Sequence, residues 1–397
     1  MTASDVAPHV PRDTELGVAD HPRYVVWELT LKCDLACRHC GSRAGKPRAE
    51  ELSLDEALAI VQQLADMGTK EITFIGGEAY LYPEWLKVVR AAARAGIAPT
   101  MTTGARQVTA SMAQAAADCG MVAMSTSIDG LRQTHDTLRA VPGSFDAAVA
   151  ALGHIRTAGM KAHANTQWNL MNLPEVEGLA DVLIEAGVKV WQVQLTGPMG
   201  RAADREEWLL QPADLLKLVP RLAAIARRGK STGFRVEAAN NLGYFGPFEK
   251  DLRRAHWQGC QAGRYVLGIE SNGDVKGCPS LPSAPYVGGN LRDHSLHHIW
   301  NNTAELRFSR DRTTDELWGF CKSCYYADTC RGGCSWTAHT LLGKRGNMPL
   351  CFHRADTLRS QGIEERLVKV EQADGVPFDF GRFRIEEHPW GEGGSGR

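Results

Sequence analysis

Eleven cysteines stand in this 397-residue chain, and their grouping constrains it more than any other feature. Three fall within residues 33–40, one stands alone at Cys119, and seven lie between residues 260 and 351. The first twenty residues have neither a basic n-region nor an apolar h-region, so the sequence predicts no secretory signal and a cytoplasmic protein. Cytosolic thiols stay reduced, which sets aside a disulfide framework and favours metal or catalytic chemistry. A net charge of −1 offers no basic excess for a phosphate backbone, and no apolar run is long enough to cross a bilayer. Nucleic acid and membrane are therefore poor candidates as partners.

From about residue 23 to 230, short apolar runs alternate with amphipathic segments. Strands are predicted at 24–31, 71–75, 98–103, 121–128, 161–167 and 189–195. Between the first two, Leu54, Leu58, Val61 and Leu64 recur at helical spacing, with Ser53 and Glu56 as a capping box and Gly68 as the stop. Another helix opens at Ser144, with Val149, Leu152 and Ile155 on one face and Gly159 closing it. Six strand–helix units in sequence predict an α/β fold around a parallel sheet. After about residue 235, Gly, Pro, Trp and Cys punctuate the chain through 240–351, a segment expected to need metal cross-links. A helix is predicted to return at 352–370, and the Gly-rich end, 391–397, is predicted to be disordered. The predicted divisions are an N-terminal extension (1–22), the sheet domain (23–235), a connecting segment (236–259), a cysteine-rich domain (260–370) and a tail (371–397).

Cys33, Cys37 and Cys40 are spaced C-x3-C-x2-C directly after the first strand, where parallel-sheet folds build their sites. Iron–sulfur clusters are normally held by four thiolates, so three would leave one iron open to another ligand. A zinc site with His39 as fourth ligand, or buried structural thiols, is the competing reading.

With His39 in the aromatic position, this segment resembles the C-x3-C-x-aromatic-C signature of the radical S-adenosylmethionine (SAM) superfamily. The resemblance implies a partial (β/α)6 TIM-like barrel and a 4Fe–4S cluster whose open iron is chelated by the amino and carboxylate groups of SAM. Gly76-Gly77-Glu78, after the second strand, resembles the segment that receives the SAM amino group, with Ala79 where the family usually has proline. Ser127-Ile128-Asp129-Gly130 resembles the ribose-contacting segment, and Arg139 would pair with the SAM carboxylate. His39, Gly76, Gly77, Glu78, Ser127 and Arg139 are thus the candidate cofactor contacts. Gly200 and Arg201 are either a further contact or a solvated turn. The sequence names no catalytic acid or base.

The later cysteines follow C-x12-G-x4-C (Cys260, Gly273, Cys278), then Cys321-x2-Cys324-x5-Cys330-x3-Cys334, then Cys351. This resembles the seven-cysteine SPASM extension of the same superfamily, an α+β cysteine-rich domain. Residues 269–278 read as a β-hairpin with an Asn-Gly turn that would carry Cys260 and Cys278 to one pole. The resemblance implies two auxiliary 4Fe–4S clusters, one on Cys260, Cys278 and Cys334, the other on Cys321, Cys324, Cys330 and Cys351. The first set is one ligand short, leaving an open iron, His256 or Cys119; Cys119 itself reads as a small buried hydrophobe.

What the resemblance implies is reductive cleavage of SAM to a 5′-deoxyadenosyl radical and hydrogen abstraction from a peptide or protein, as in peptide maturation. Expected partners are that substrate, an electron donor such as flavodoxin or ferredoxin, and a separate leader-peptide recognition protein. The alternatives are an oxidoreductase acting on a porphyrinoid side chain and, outside catalysis, a zinc-stabilised binding protein.

Overall fold

A computed structural model describes residues 21–253 and 257–391. His256 and most of the Gly-rich end lie outside the described residues. One ten-stranded sheet organises the molecule. Strands β1 (Tyr24–Thr30), β2 (Glu71–Gly76), β3 (Ala98–Thr103), β4 (Ala123–Ser127), β5 (Lys161–Trp168), β6 (Val190–Leu195) and β7 (Arg235–Ala238) lie side by side in chain order, all parallel. β7 is one strand more than the sequence predicts, so a boundary at residue 235 falls inside it. On the other side of β1, β8 (Val266–Ile269) adds in parallel, followed by β9 (Asp274–Lys276) and β10 (Val287–Asn290), both antiparallel to their neighbours. β8 and β9 form the hairpin expected of residues 269–278, with Gly273 at φ +93° in its turn. The cysteine-rich segment is thus knitted into the edge of the barrel sheet.

The connecting helices follow from the sequence pattern. In α1 (Leu54–Asp66) the capping box forms: the Ser53 hydroxyl accepts from the Glu56 amide, and the Ser53 amide donates to the Glu56 carboxylate at 2.7 Å. Ala57, Ile60, Val61 and Leu64 are buried against the sheet. Outward-facing Trp27, Phe74, Met101, Met124 and Trp191 sit fully buried under the helical layer, each worth about 1.5–3 kcal/mol of transfer free energy.

The other face of β4–β7 is different. Ser127, Asn165, Gln192 and Glu237 stand in register on four neighbouring strands, and Gln167 and Gln194 form the next pair above them. All six are partly exposed, whereas the intervening Thr126, Thr166, Val193 and Ala238 are completely buried. Period-two alternation therefore gives the barrel an apolar outside and a polar lumen.

Two expectations for the C-terminal part are corrected. Segment 240–351 is not short of regular apolar faces: helices Leu296–Asn302 and Ala304–Asp311 bury Leu296, Ile299, Trp300 and Leu306 in the main core. The helix expected over 352–370 ends at Ser360, because Gly362 (φ +76°) breaks it and Ile363, Val368 and Val370 beyond it favour a strand. The chain continues as β11 (Ile363–Glu371), paired antiparallel with β12 (Arg382–Pro389), so what reads as a tail is largely a hairpin.

Candidate functional site

The three early cysteines occupy the loop that leaves the C-terminal end of β1. Its base is a short ladder in which the Cys33 amide donates to Gly45 O (3.1 Å) and the Gly45 amide to Leu31 O (3.0 Å). Arg201 clamps it from beyond β6: Nε donates to Cys37 O at 2.6 Å and both terminal nitrogens to Ala44 O at 3.1 Å. Arg201 thus holds loop backbone and is not part of a solvated turn.

Sulfur, carboxylate and guanidinium groups converge inside the loop. Burial pushes the Cys33 thiol up to about 12, with Glu78 and the thiols of Cys37 and Cys40 adding to the effect. Burial also raises Cys37, offset in part by Arg139, whose Nη1 reaches its sulfur at 3.5 Å. Crowded thiols disfavouring their own ionisation is the condition a metal relieves, since a coordinating thiol is deprotonated by the cation. Leu35 N donates to Cys33 Sγ at 3.4 Å. The donor set therefore fits a thiolate-bound cluster that lacks one protein ligand.

His39 does not complete a zinc site. Its Nε2 bonds Asp129 Oδ2 at 2.9 Å and its Nδ1 faces Leu138 O at 3.3 Å, so both ring nitrogens are engaged away from the thiols. Asp129 is wholly buried; burial would raise its carboxyl, but Arg139 and His39 outweigh this and hold it well below the usual range. Arg139 bonds the same Oδ2. Sequence reasoning offers Arg139 to the SAM carboxylate, whereas its two terminal nitrogens face Asp129 and Cys37, leaving Nε as the buried donor without a partner.

The glycine segment is shaped by close approach. A Cβ at Gly76 would collide with Thr30 O, and one at Gly77 with Lys32 O. Gly77→Ala is therefore expected to displace the start of the cysteine loop and cost about 1–3 kcal/mol, read as lower iron retention with the later cysteines still loaded. Glu78 is buried, accepts from Gly104 N at 2.7 Å and from the Thr103 hydroxyl, and is raised to about 7 by burial, with Asp34 adding to the effect. Cys33, Asp34 and Glu78 place one ligand atom each within 4.8 Å of one another. Asp34 is a site residue that sequence reasoning missed; the Tyr80 hydroxyl (3.1 Å) and Gln107 Nε2 (2.7 Å) both donate to it.

The seven later cysteines divide into two groups. Cys278 is raised to about 11 by burial and by Cys260, and Cys334 to about 12 by burial and both of those thiols. The second group, Cys321, Cys324, Cys330 and Cys351, lines a single pocket of about 330 Å³, counted to its open mouth. Backbone amides of Met348, Tyr326 and Tyr244 donate to Cys321, Cys324 and Cys351 at 3.4–3.5 Å. Both donor sets fit clusters, three thiols in one and four in the other. Cys119 belongs to neither; it lies in the main core, where Arg90 Nη2 donates to it at 3.2 Å.

Comparison with known proteins finds two family matches along the chain. A family model described as the radical SAM superfamily matches residues 27–182, and the SPASM model, an iron–sulfur cluster-binding domain, matches residues 260–325. The chain is 31% identical over 325 residues to the mycofactocin maturase MftC of Mycobacterium ulcerans, covering 79% of this chain and 83% of that one. It is 27% identical over 355 residues to the AdoMet-dependent heme synthase of Methanosarcina barkeri, covering 85% and 99%. The structure of Streptococcus suis SuiB bound to its precursor peptide SuiA superposes with a TM-score of 0.67 at 20% identity, covering 83% of this chain and 75% of that one, a likeness of fold. The chain belongs to the radical SAM superfamily of enzymes. Within it, the C-terminal domain places it in the SPASM branch, whose cofactors are SAM and 4Fe–4S clusters, one working with SAM and two auxiliary. Among the described residues no helix is long and apolar enough to cross a membrane.

Proposed function

We propose that this enzyme modifies a peptide or protein side chain by hydrogen abstraction, with Cys33, Cys37 and Cys40 holding the SAM-binding cluster. Bound there, cluster and SAM supply a one-electron reductive cleavage that yields a 5′-deoxyadenosyl radical. Glu78, with Asp34 beside it, would accept from an ammonium; Gly76 and Gly77 would let the cofactor approach the backbone; and Ser127, which faces the lumen, would meet the ribose. Arg139 orients the Cys37 side of the loop through Asp129. Cys260, Cys278 and Cys334 would hold one auxiliary cluster, and Cys321, Cys324, Cys330 and Cys351 the other. An electron donor such as flavodoxin or ferredoxin, a leader-recognition partner and a cytoplasmic location belong to the same reading.

The observation that carries the peptide reading is the polar lumen. Asn165 Oδ1 is buried without a partner, and the side-chain amides of Gln167, Gln192 and Gln194 have none among the described residues. Carboxamides supply donor and acceptor together, which matches peptide groups. A porphyrinoid carrying several carboxylates would call for cations, and Arg235 lies 3.4 Å from Glu237. The relatives named heme synthases keep the porphyrinoid alternative as an outcome of the test.

Anaerobic co-expression with short candidate peptides, followed by mass spectrometry, is the test: a mass change on peptide supports the reading, and turnover confined to a porphyrinoid overturns it. The Gln192→Leu/Gln194→Leu variant is expected to retain SAM binding and lose peptide product by about 10- to 100-fold, as two or more unpaired hydrogen bonds cost. Product formation unchanged by both leucines would remove the lumen from the substrate site.

A further inference from the structure

The loop joining β11 and β12 lies outside both family matches, yet it reaches the first cysteine site. The parallel sheet leaves a seam between its β7 side and its β8–β10 side. Residues 372–381 cross it. Phe378 lies under Lys276 of β9, whose Nζ is 4.3 Å from the ring centroid, and near Arg48, at 5.4 Å. Two residues later, Phe380 makes an antiparallel bridge with Met199, beyond β6. Between them, Asp379 accepts from Arg43 Nε at 2.7 Å through its carboxylate and from the Gly200 amide at 2.8 Å through its carbonyl. Arg43 also pairs with Asp204 through both terminal nitrogens at 2.7 and 2.8 Å. The loop is thus tied to both sides of the seam and to the cysteine loop itself.

Backbone geometry marks the same two residues. Phe378 (φ +61°) and Arg43 (φ +51°) both adopt the left-handed region, which bulky residues rarely enter unless their surroundings impose it. The ring thereby placed is buried with Leu31, Ala44 and Met199, and Cys33, Cys40, Trp336 and Phe380 pack against that cluster.

We propose that this loop is part of the reaction site, with Phe378 a positioning residue that seals the Cys33/Cys40 side of the SAM-binding site from water and oxygen. The proposal rests on the functional reading above, which makes that side the place where exclusion matters. A void at Phe378 would open a path between solvent and the two half-buried sulfurs without touching the four thiols of the later pocket.

The test exposes anaerobically reconstituted protein to air with N-ethylmaleimide and follows labelling of each cysteine by peptide mass spectrometry. In Phe378→Ala, labelling of Cys33 and Cys40 should quicken on the order of tenfold, a local opening, with Cys321, Cys324, Cys330 and Cys351 unchanged. Phe378→Leu, which keeps apolar volume, should stay near wild type, and Asp379→Asn, which weakens the Arg43 tie, should fall between. Unchanged labelling at Cys33 and Cys40, or equal acceleration at all the cysteines, overturns the proposal. Failure of the functional reading looks different: wild-type Cys33 and Cys40 would then label without a lag and the protein would not cleave SAM, while the ratio of variant to wild type still measures the seal.

Discussion

Replacing Cys33, Cys37 and Cys40 together by alanine is expected to abolish SAM cleavage and to lower iron from about twelve to about eight atoms per chain, one cubane of three. The separation of the thiol groups supports so selective a loss. Cys33 and Cys40 pack against Leu31, Ala44, Met199 and Phe378, whereas Cys260 and Cys278 pack against Ala262, Leu281, Tyr286 and Phe308. The third group has its own pocket. Among the described residues Trp336 alone touches both of the first two apolar clusters, with its Nε1 on Met199 Sδ at 3.4 Å and its ring beside Gly197. Iron and sulfide counting with a 5′-deoxyadenosine assay reads the result. Loss of all iron in the triple variant would mean that the later clusters depend on the first; stoichiometric zinc in place of iron would overturn the cluster assignment itself.

What could be read from sequence was what is local. The capping box of α1 and the β8–β9 hairpin each depend on spacing within a few residues, and the structure reproduces them. The C-terminal hairpin was misread because Phe352–Ser360 begins as a helix and Gly362 is only a modest breaker signal beside the apolar residues that follow. Other features depend on partners remote in the chain. His39 and Asp129 are 90 residues apart, Arg201 and Cys37 164, and Arg43 and Asp379 336. No periodicity announces such pairs. The lumen is an intermediate case. Parallel strands covered on both faces read as continuous apolar runs, yet Asn165, Gln167, Gln192 and Gln194 interrupt β5 and β6 at every second position. That alternation was a visible sign that one face of the sheet meets something polar.

Asp129→Ala should be the most destabilising single change at the site, lowering the unfolding free energy by about 3–5 kcal/mol. Asp129 is fully buried, and its carboxylate binds His39, Arg139 and, through Oδ1, the Gln167 amide at 2.8 Å. Removing it leaves a buried guanidinium without its counter-charge and a ring nitrogen without its partner. The size of the loss comes from the stranded charge, so it is non-additive. Asp129→Leu combined with Arg139→Met, which removes both charges, is expected to be less destabilised than Asp129→Ala alone. Asp129→Asn separates hydrogen bonding from charge and should fall between wild type and alanine. Urea midpoints of reconstituted protein, followed by tryptophan emission from the core residues Trp27, Trp168 and Trp191, measure the series. A double variant as unstable as the sum of its parts would show that the pair contributes packing alone. The Asp129–Arg139 contact would then be no more than a neighbour of the cysteine loop, and Arg139 could not owe its place beside Cys37 to the carboxylate.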